Sequence, residues 1–368
     1  MAYVKRSATG ACSAAIVVGL LTATAMAQVA SPEADPDAVR QFEDPVTVPP
    51  MPLPEPEPGS DMGDLSVARP QLSPVGRGSA GQPPDPGVEL PALDLDQWLD
   101  NDLDSSAGGE APGLVDPFAF APAGVPFSTS RLFPKEQLLD YPYTTVGRII
   151  GRDPTSGGSF SCSGAVIQLR LVLTAGHCVY DPVGQRWYSD LTFYPQYYDG
   201  LSPQGAWSAR QAWTTNQWAR GGGRLPNRGD FAILILFDRV IGDRPREIGT
   251  LTGWLGWQTQ RFTEHFTQFG YPRNLDDSQR PQVTNAQVAG TNSLDYRWGT
   301  NQYQGSSGGP LVMNFGETGA GQAFNVNRVV GVFSFGNTEK GIAGSSKMSA
   351  NFVNLLRAAC DAQPGNCR

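Results

Sequence analysis

Histidine is almost absent from this chain of 368 residues: there are two, His177 and His265, set far apart. With no C-x-x-C pair beside them, no metal-ligand cluster can be drawn, and the expectation is no metal and no cofactor. Long hydrophobic runs are missing too. Beyond the N-terminal stretch, nothing approaches the ~20 apolar residues that a membrane-spanning helix needs. Lysine and arginine nowhere form a block, which argues against nucleic-acid binding. The formal net charge is −8, but it is unevenly spread. Residues 28–130 carry 18 acidic and 3 basic side chains, and the balance from Arg131 onward is mildly positive. The length allows about two or three domain-sized units.

The first 27 residues read as an export signal. Lys5 and Arg6 give a positive start, residues 14–21 a short apolar core, and Ala25-Met26-Ala27 a small-x-small cleavage site before Gln28. The alternative is an uncleaved anchor, for which the apolar run is short. Removing this segment removes Cys12 and leaves Cys162, Cys178, Cys360 and Cys367. An even number fits an oxidising, exported setting, secreted or periplasmic. Four cysteines allow three pairings, which spacing alone does not resolve. Residues 28–130 are proline-rich and acidic, with few β-branched side chains. Such a composition cannot bury enough apolar surface to offset its ordering entropy, so disorder is expected. A propeptide is the preferred reading of this region, against a passive linker.

From Arg131 to the end the pattern changes. Short strand-like runs at 144–150, 160–168, 171–175, 191–194, 231–237, 265–271, 283–288, 311–315 and 329–335 alternate with Gly, Pro, Asn and Asp clusters. Many short strands with turn signals between them predict an all-β sandwich or barrel pair. Only residues 351–360 have helical spacing, behind a Ser349 cap. The aromatic-rich stretch 187–218 is read as core and loop packing.

Three motifs carry chemistry. The run Gly305-Ser306-Ser307-Gly308-Gly309-Pro310 bends sharply and leaves backbone N–H groups uncovered, as a serine nucleophile with an oxyanion hole requires; alone it could equally be a flexible loop. His177 follows an apolar strand directly, in Leu173-Thr174-Ala175-Gly176-His177-Cys178. A bridge from Cys178 to Cys162, sixteen positions back, would hold it with the rigidity a general base needs. Asp230 heads the otherwise apolar Phe231-Ala232-Ile233-Leu234-Ile235-Leu236. A carboxylate there is either a strand gatekeeper or the acid that orients an imidazole.

Taken in the order His177, Asp230, Ser307, and together with Cys162-Ser163-Gly164-Ala165-Val166-Ile167 and Val332-Phe333-Ser334-Phe335-Gly336, the chain resembles the chymotrypsin/trypsin-like serine peptidase family over about three-fifths of its length. The resemblance implies two packed six-stranded antiparallel β-barrels followed by a C-terminal helix. It also implies the Cys162–Cys178 bridge, whose spacing is the family's own. Ser307 would attack the peptide carbonyl, His177 would move the proton, and Asp230 would orient His177. The N–H groups of Gly305 and Ser307 would hold the oxyanion, and Ser334, Phe335 and Gly336 would pair with substrate backbone. Gly305–Ser307 also fits the G-x-S-x-G elbow of α/β-hydrolases, but no histidine follows Ser307, so that reading lacks its base.

Within the family, the chain departs from trypsin at Ser306, where an aspartate usually receives the new N-terminus. Gly176-His177-Cys178-Val179-Tyr180-Asp181 and Gly270-Tyr271-Pro272 are similar to the bacterial glutamyl-endopeptidase-like branch. Phe333, however, stands where that branch carries a glutamate-binding histidine, and Asn301 stands uncharged at the pocket base. An uncharged or broad specificity is therefore expected. Cys360 and Cys367 are expected to pair with each other, the alternatives being free thiols or a link to another chain. The function expected is a secreted serine endopeptidase of domain 131–368, acting as a monomer on protein or peptide substrates. A non-catalytic binding homologue on the same scaffold is the alternative.

Overall fold

The apolar strand Ala232–Leu236 is buried throughout because both of its faces are covered. One faces a closed barrel, and the other lies under a C-terminal helix whose Phe352 meets Phe231 edge-on with ring centroids 5.9 Å apart. A strand buried on two sides loses the polar alternation of a half-exposed one. The computed structural model describes residues 78–85, 124–259, 265–291, 294–316 and 326–368, all within one compact unit running from Ala34 to Arg368. The expected signal 1–27 lies outside the described residues, as does most of 28–130.

Val146–Arg152 (β1), Ser159–Val166 (β2), Leu171–Thr174 (β3), Ser189–Pro195 (β4), Trp207–Thr214 (β5) and Ala232–Leu236 (β6) close into a barrel in the order β6-β3-β2-β1-β4-β5. Every pairing in it is antiparallel. Val166, Leu173, Phe193, Trp207, Ile233 and Leu234 belong to its buried core. The second half holds His265–Gly270 (β7), Gln282–Thr291 (β8), Asp295–Gly299 (β9), Pro310–Met313 (β10), Arg328–Val332 (β11) and Ile342–Ser346 (β12). These pair in the order β11-β10-β7-β8-β9-β12 within a ten-stranded sheet. The two ends meet where the Val332 N–H donates to Ser345 Oγ at 3.0 Å and the Ser334 N–H donates to the Gly344 carbonyl at 2.9 Å. Phe266, Trp298, Leu311, Met313, Val330 and Phe333 fill this half. The result is the chymotrypsin-like double barrel that the motifs imply.

The helix Ala350–Asp361 (α1) buries Phe352, Val353, Leu355, Leu356 and Ala359, as its spacing predicts. Ser349 occupies the N-cap position, but its side chain makes no capping bond. Both expected disulfides are present, Cys162–Cys178 and Cys360–Cys367, with Cα–Cα distances of 6.3 and 5.4 Å.

The differences from expectation have local causes. Strand β5 falls inside the aromatic stretch, and its side chains are mostly exposed or half-buried, so no clean period shows. Strand β9 is buried along its whole length. Its charged residues conceal this: Asp295 and Arg297, two positions apart on one face, pair at 3.0 Å. Ordered structure also starts before Arg131. Phe127–Arg131 pairs with β8, and Gly78–Ser79 pairs with Gly256–Gln258, which runs parallel to β11. Both segments lie within the stretch whose average composition predicts disorder; they are held by strand pairing with the barrels, which composition does not report.

Replacing Phe352 with alanine removes the ring that packs on Phe231 and on Trp257, whose centroid is 5.5 Å away. The expected loss is about 3–5 kcal/mol of stability, read as a lower denaturation midpoint in guanidinium.

Candidate active site

Strand β3 ends at Thr174, and the chain turns through the 3-10 segment Gly176–Cys178. The disulfide to Cys162 on β2 fixes that turn to the neighbouring strand. Gly176 is required there, since a Cβ would lie 2.8 Å from the Trp218 ring and 3.0 Å from Asp230 Oδ1. Asp230 lies just before β6, which pairs with β3, so the register Ala232↔Thr174 brings the carboxylate to the histidine turn.

Asp230 is fully buried, and its carboxylate is met on both oxygens. The His177 backbone N–H donates to Oδ1 at 2.9 Å. The ring Nδ1 lies 2.9 Å from Oδ2, and Ser334 Oγ donates to that same Oδ2. With Nδ1 facing the carboxylate, Nε2 is the free face of the ring; it is buried and makes no hydrogen bond. Trp218 packs against the imidazole, with centroids 6.1 Å apart at 62°. Thr215 Oγ1 accepts from the Trp218 backbone N–H at 3.0 Å, and Trp218 Nε1 donates to the Tyr180 carbonyl at 3.0 Å, so Trp218 is held through both its backbone and its ring.

The Ser307 turn comes from the second barrel but is held by the first. The Ser163 N–H donates to the Ser307 carbonyl at 2.7 Å, and Ser163 Oγ donates to the Gly305 carbonyl at 2.8 Å. Ser163 Oγ also accepts from the Tyr271 N–H at 2.9 Å. Thus the residue beside Cys162 ties the Ser307 turn to the strand that carries the disulfide. Gly305 has φ 95°, and a Cβ there would lie 2.3 Å from the Tyr271 carbonyl. Gly308 has φ 81°, and its Cβ would meet Thr174 Oγ1 at 2.0 Å. Positive φ and close backbone neighbours therefore require glycine at both positions of the turn. Among the described residues, no hydrogen bond from the Gly305 or Ser307 N–H is found.

Ser306 is buried, and its Oγ donates to Gln302 Oε1 at 3.0 Å. Gln302 Oε1 also accepts from Gln268 Nε2 at 3.2 Å, and Gln302 Nε2 donates to Thr284 Oγ1 at 2.9 Å. Trp298 Nε1 completes the set by donating to Gln268 Oε1 at 3.0 Å. A neutral network thus lies behind the turn.

The remaining expected site residues divide. Phe335–Asn337 pairs with β12 on one side and ends its sheet, so among the described residues its outer edge has no partner strand. The Phe335 side chain is buried with Trp218, Leu225 and Ile342. Ser334 contributes its hydroxyl to Asp230 and its N–H to the sheet. Phe333 points into the core of the second half, edge-on to Trp298 at 6.0 Å. Asn301 is half-buried; its carbonyl accepts from Asn274 Nδ2 at 2.7 Å, and its own Oδ1 is buried without a partner. Ser163, Trp218 and Gln302 were not singled out by sequence reasoning. Only Ser163 left a signal there, as the residue following Cys162.

The class these barrels define is the chymotrypsin-like fold of serine proteases. A thermostable serine protease, AL20, from an extremophilic microorganism superposes with a TM-score of 0.51 at 20% identity, over 60% of this chain and 98% of that one. The protease Anisep of Arthrobacter nicotinovorans gives 0.50 at 21% identity, over 60% and 98%. A Glu endopeptidase gives 0.50 at 20% identity, over 64% and 97%. In sequence, an extracellular metalloprotease of Bacillus subtilis (strain 168) is 24% identical over 184 residues, 49% of this chain. The match spans 54% of that protein, so the chain covers about half the length of the curated relative it matches. No family model matches. Cys162, His177 and Cys178 do bring potential metal-ligating atoms within 4.8 Å of one another. The two cysteines are bonded to each other, however, so neither offers the thiolate that a metal would take.

Ser306→Asp places a carboxylate in a fully buried position against Gln302 Oε1, which accepts from the native hydroxyl. It is expected to cost roughly 3–5 kcal/mol near neutral pH. Burial raises the pKa of such a group, so the folded chain keeps a proton that the unfolded chain releases near about pH 3.9. Stability of the variant should therefore fall as pH rises from about 4 to 7, measured by denaturant titration at each pH.

Proposed function

We propose that the protein is an exported serine endopeptidase that cleaves peptide bonds through Ser307, His177 and Asp230. The observation that supports this reading is the Asp230–His177 pair, doubly bonded and buried with its Nε2 unpartnered, together with a glycine-bounded Ser307 turn held by Ser163, the neighbour of the cysteine bonded to Cys178. Asp230 orients the ring and stabilises the imidazolium that forms when Nε2 takes the Ser307 proton. The Ser307 oxygen then adds to the peptide carbonyl. The N–H groups of Gly305 and Ser307, with no protein acceptor among the described residues, are the oxyanion donors. His177 passes its proton to the leaving amine, and water reverses the sequence on the acyl-enzyme. The open edge of Phe335–Asn337 supports docking of an extended peptide by strand addition.

The pocket residues support an uncharged or broad preference. Phe333 lies in the core, and the Asn301 amide carries no charge. The two disulfides are consistent with an oxidising compartment, and no helix among the described residues is long and apolar enough to cross a membrane.

An organophosphonate probe followed by peptide mapping should place the adduct on Ser307. Ser307→Ala is expected to lower casein hydrolysis by at least about 10⁴-fold while leaving the thermal midpoint in place. No adduct on the unsubstituted protein, or unchanged hydrolysis by the variant, would leave the non-catalytic binding homologue as the reading.

A further inference from the structure

Residues 78–85 belong to the acidic, proline-rich stretch, yet they lie on the barrels as a strand. Gly78 and Ser79 pair antiparallel with Gln258 and Trp257. Gln82 and Trp254 exchange both of their backbone bonds, at 2.9 and 2.8 Å, and the Asp85 N–H donates to the Thr250 carbonyl at 3.1 Å. The receiving surface is the connector between the barrels. Its Leu255 N–H donates to the Val166 carbonyl on β2 at 2.9 Å. Its Gly256 N–H donates to the Asn327 carbonyl at 3.0 Å, and Gly256–Gln258 runs beside β11. The segment therefore closes over a strip bonded to both halves of the fold.

The two surfaces are recessed for each other. A Cβ on Gly256 would lie 2.3 Å from the Ser79 carbonyl oxygen and 2.6 Å from the Gly81 nitrogen. A Cβ on Gly81 would lie 2.5 Å from the Tyr141 hydroxyl and 2.8 Å from the Gly256 nitrogen. Neither residue has a positive φ, so close approach of the two backbones is what requires glycine at both places. A charge pair closes the far end. Arg368 donates Nη1 to Asp85 Oδ1 at 3.1 Å and Nη2 to Oδ2 at 2.9 Å, the bidentate fork of strong Arg–carboxylate pairs. Arg368 is itself held, because its N–H donates to Gln168 Oε1 at 3.1 Å and the Cys360–Cys367 bridge precedes it.

We propose that the barrel connector is a docking site for one occupant, this chain's own residues 78–85, and that the N-terminal region stays bound through it when the chain is cut between this clamp and the barrels. Recognition is strand addition over a glycine cradle, with Asp85 read by Arg368. Loss of the N-terminal region then takes two events, cleavage and release. The inference does not depend on the catalytic assignment.

The test uses the full chain carrying Ser307→Ala, with a recognition sequence for a site-specific protease inserted between Gly109 and Glu110. After complete cutting, native mass spectrometry and size exclusion should recover the upstream fragment bound to the barrels, and denaturant should free it. Gly81→Val combined with Asp85→Ala alters only the clamp, leaving the barrels' own residues intact. It should abolish co-elution and speed amide exchange at Trp254. Release of the unsubstituted fragment on cutting overturns the proposal. So does retention of the doubly substituted one.

Discussion

A carboxylate withdrawn completely from water must have its lone pairs met, or the fold bears a penalty of several kcal/mol. Asp230 is that group, and the rest of the architecture depends on how it is satisfied. Two of its donors come from His177, at the end of β3. The third, Ser334, comes from the second barrel. The bonds close together only when the two barrels are docked in one relation. The same relation lets Ser163 hold the Ser307 turn. The candidate site is therefore a property of the interface between barrels, and its geometry and the stability of that interface are linked.

The interface is reinforced on both sides of the site. The disulfide to Cys162 stiffens the histidine turn from below. Trp218 and Phe335, one from each half, share a small buried cluster beside it. On the connector, a strand from the N-terminal region lies over residues bonded to both halves. Behind the Ser307 turn, Ser306, Gln302, Gln268 and Trp298 form a chain of neutral hydrogen bonds. Ser306 itself is uncharged, and its hydroxyl is satisfied by Gln302 without an ion. Its turn is supported by groups already in place.

Much of this was legible in the sequence, for identifiable reasons. Chemistry that needs a particular atom at a particular bend leaves a short local signature. His177 before Cys178, Asp230 at the head of an apolar strand, and Ser307 among glycines are of this kind. The glycines are legible because a positive φ is a local demand of the turn, and Gly305 and Gly308 both adopt one. Strands β5, β9 and β12 were not legible. Exposure blurs the pattern of β5, and the buried Asp295–Arg297 pair gives β9 the composition of a polar segment.

By itself, then, the sequence determined the fold class, the identity and order of the three side chains of the candidate site, and the absence of an acidic residue at position 306. These follow from covalent neighbours and from residue type. Only the tertiary structure decided what surrounds them. Ser163 and Trp218 reach the site through strand pairing and ring packing across many positions of chain. Ser334 turned out to serve the buried acid, and Phe333 the core. The clamp at 78–85 was invisible for the same reason: its glycines matter because of what lies opposite them, and that partner is chosen by the folded surface.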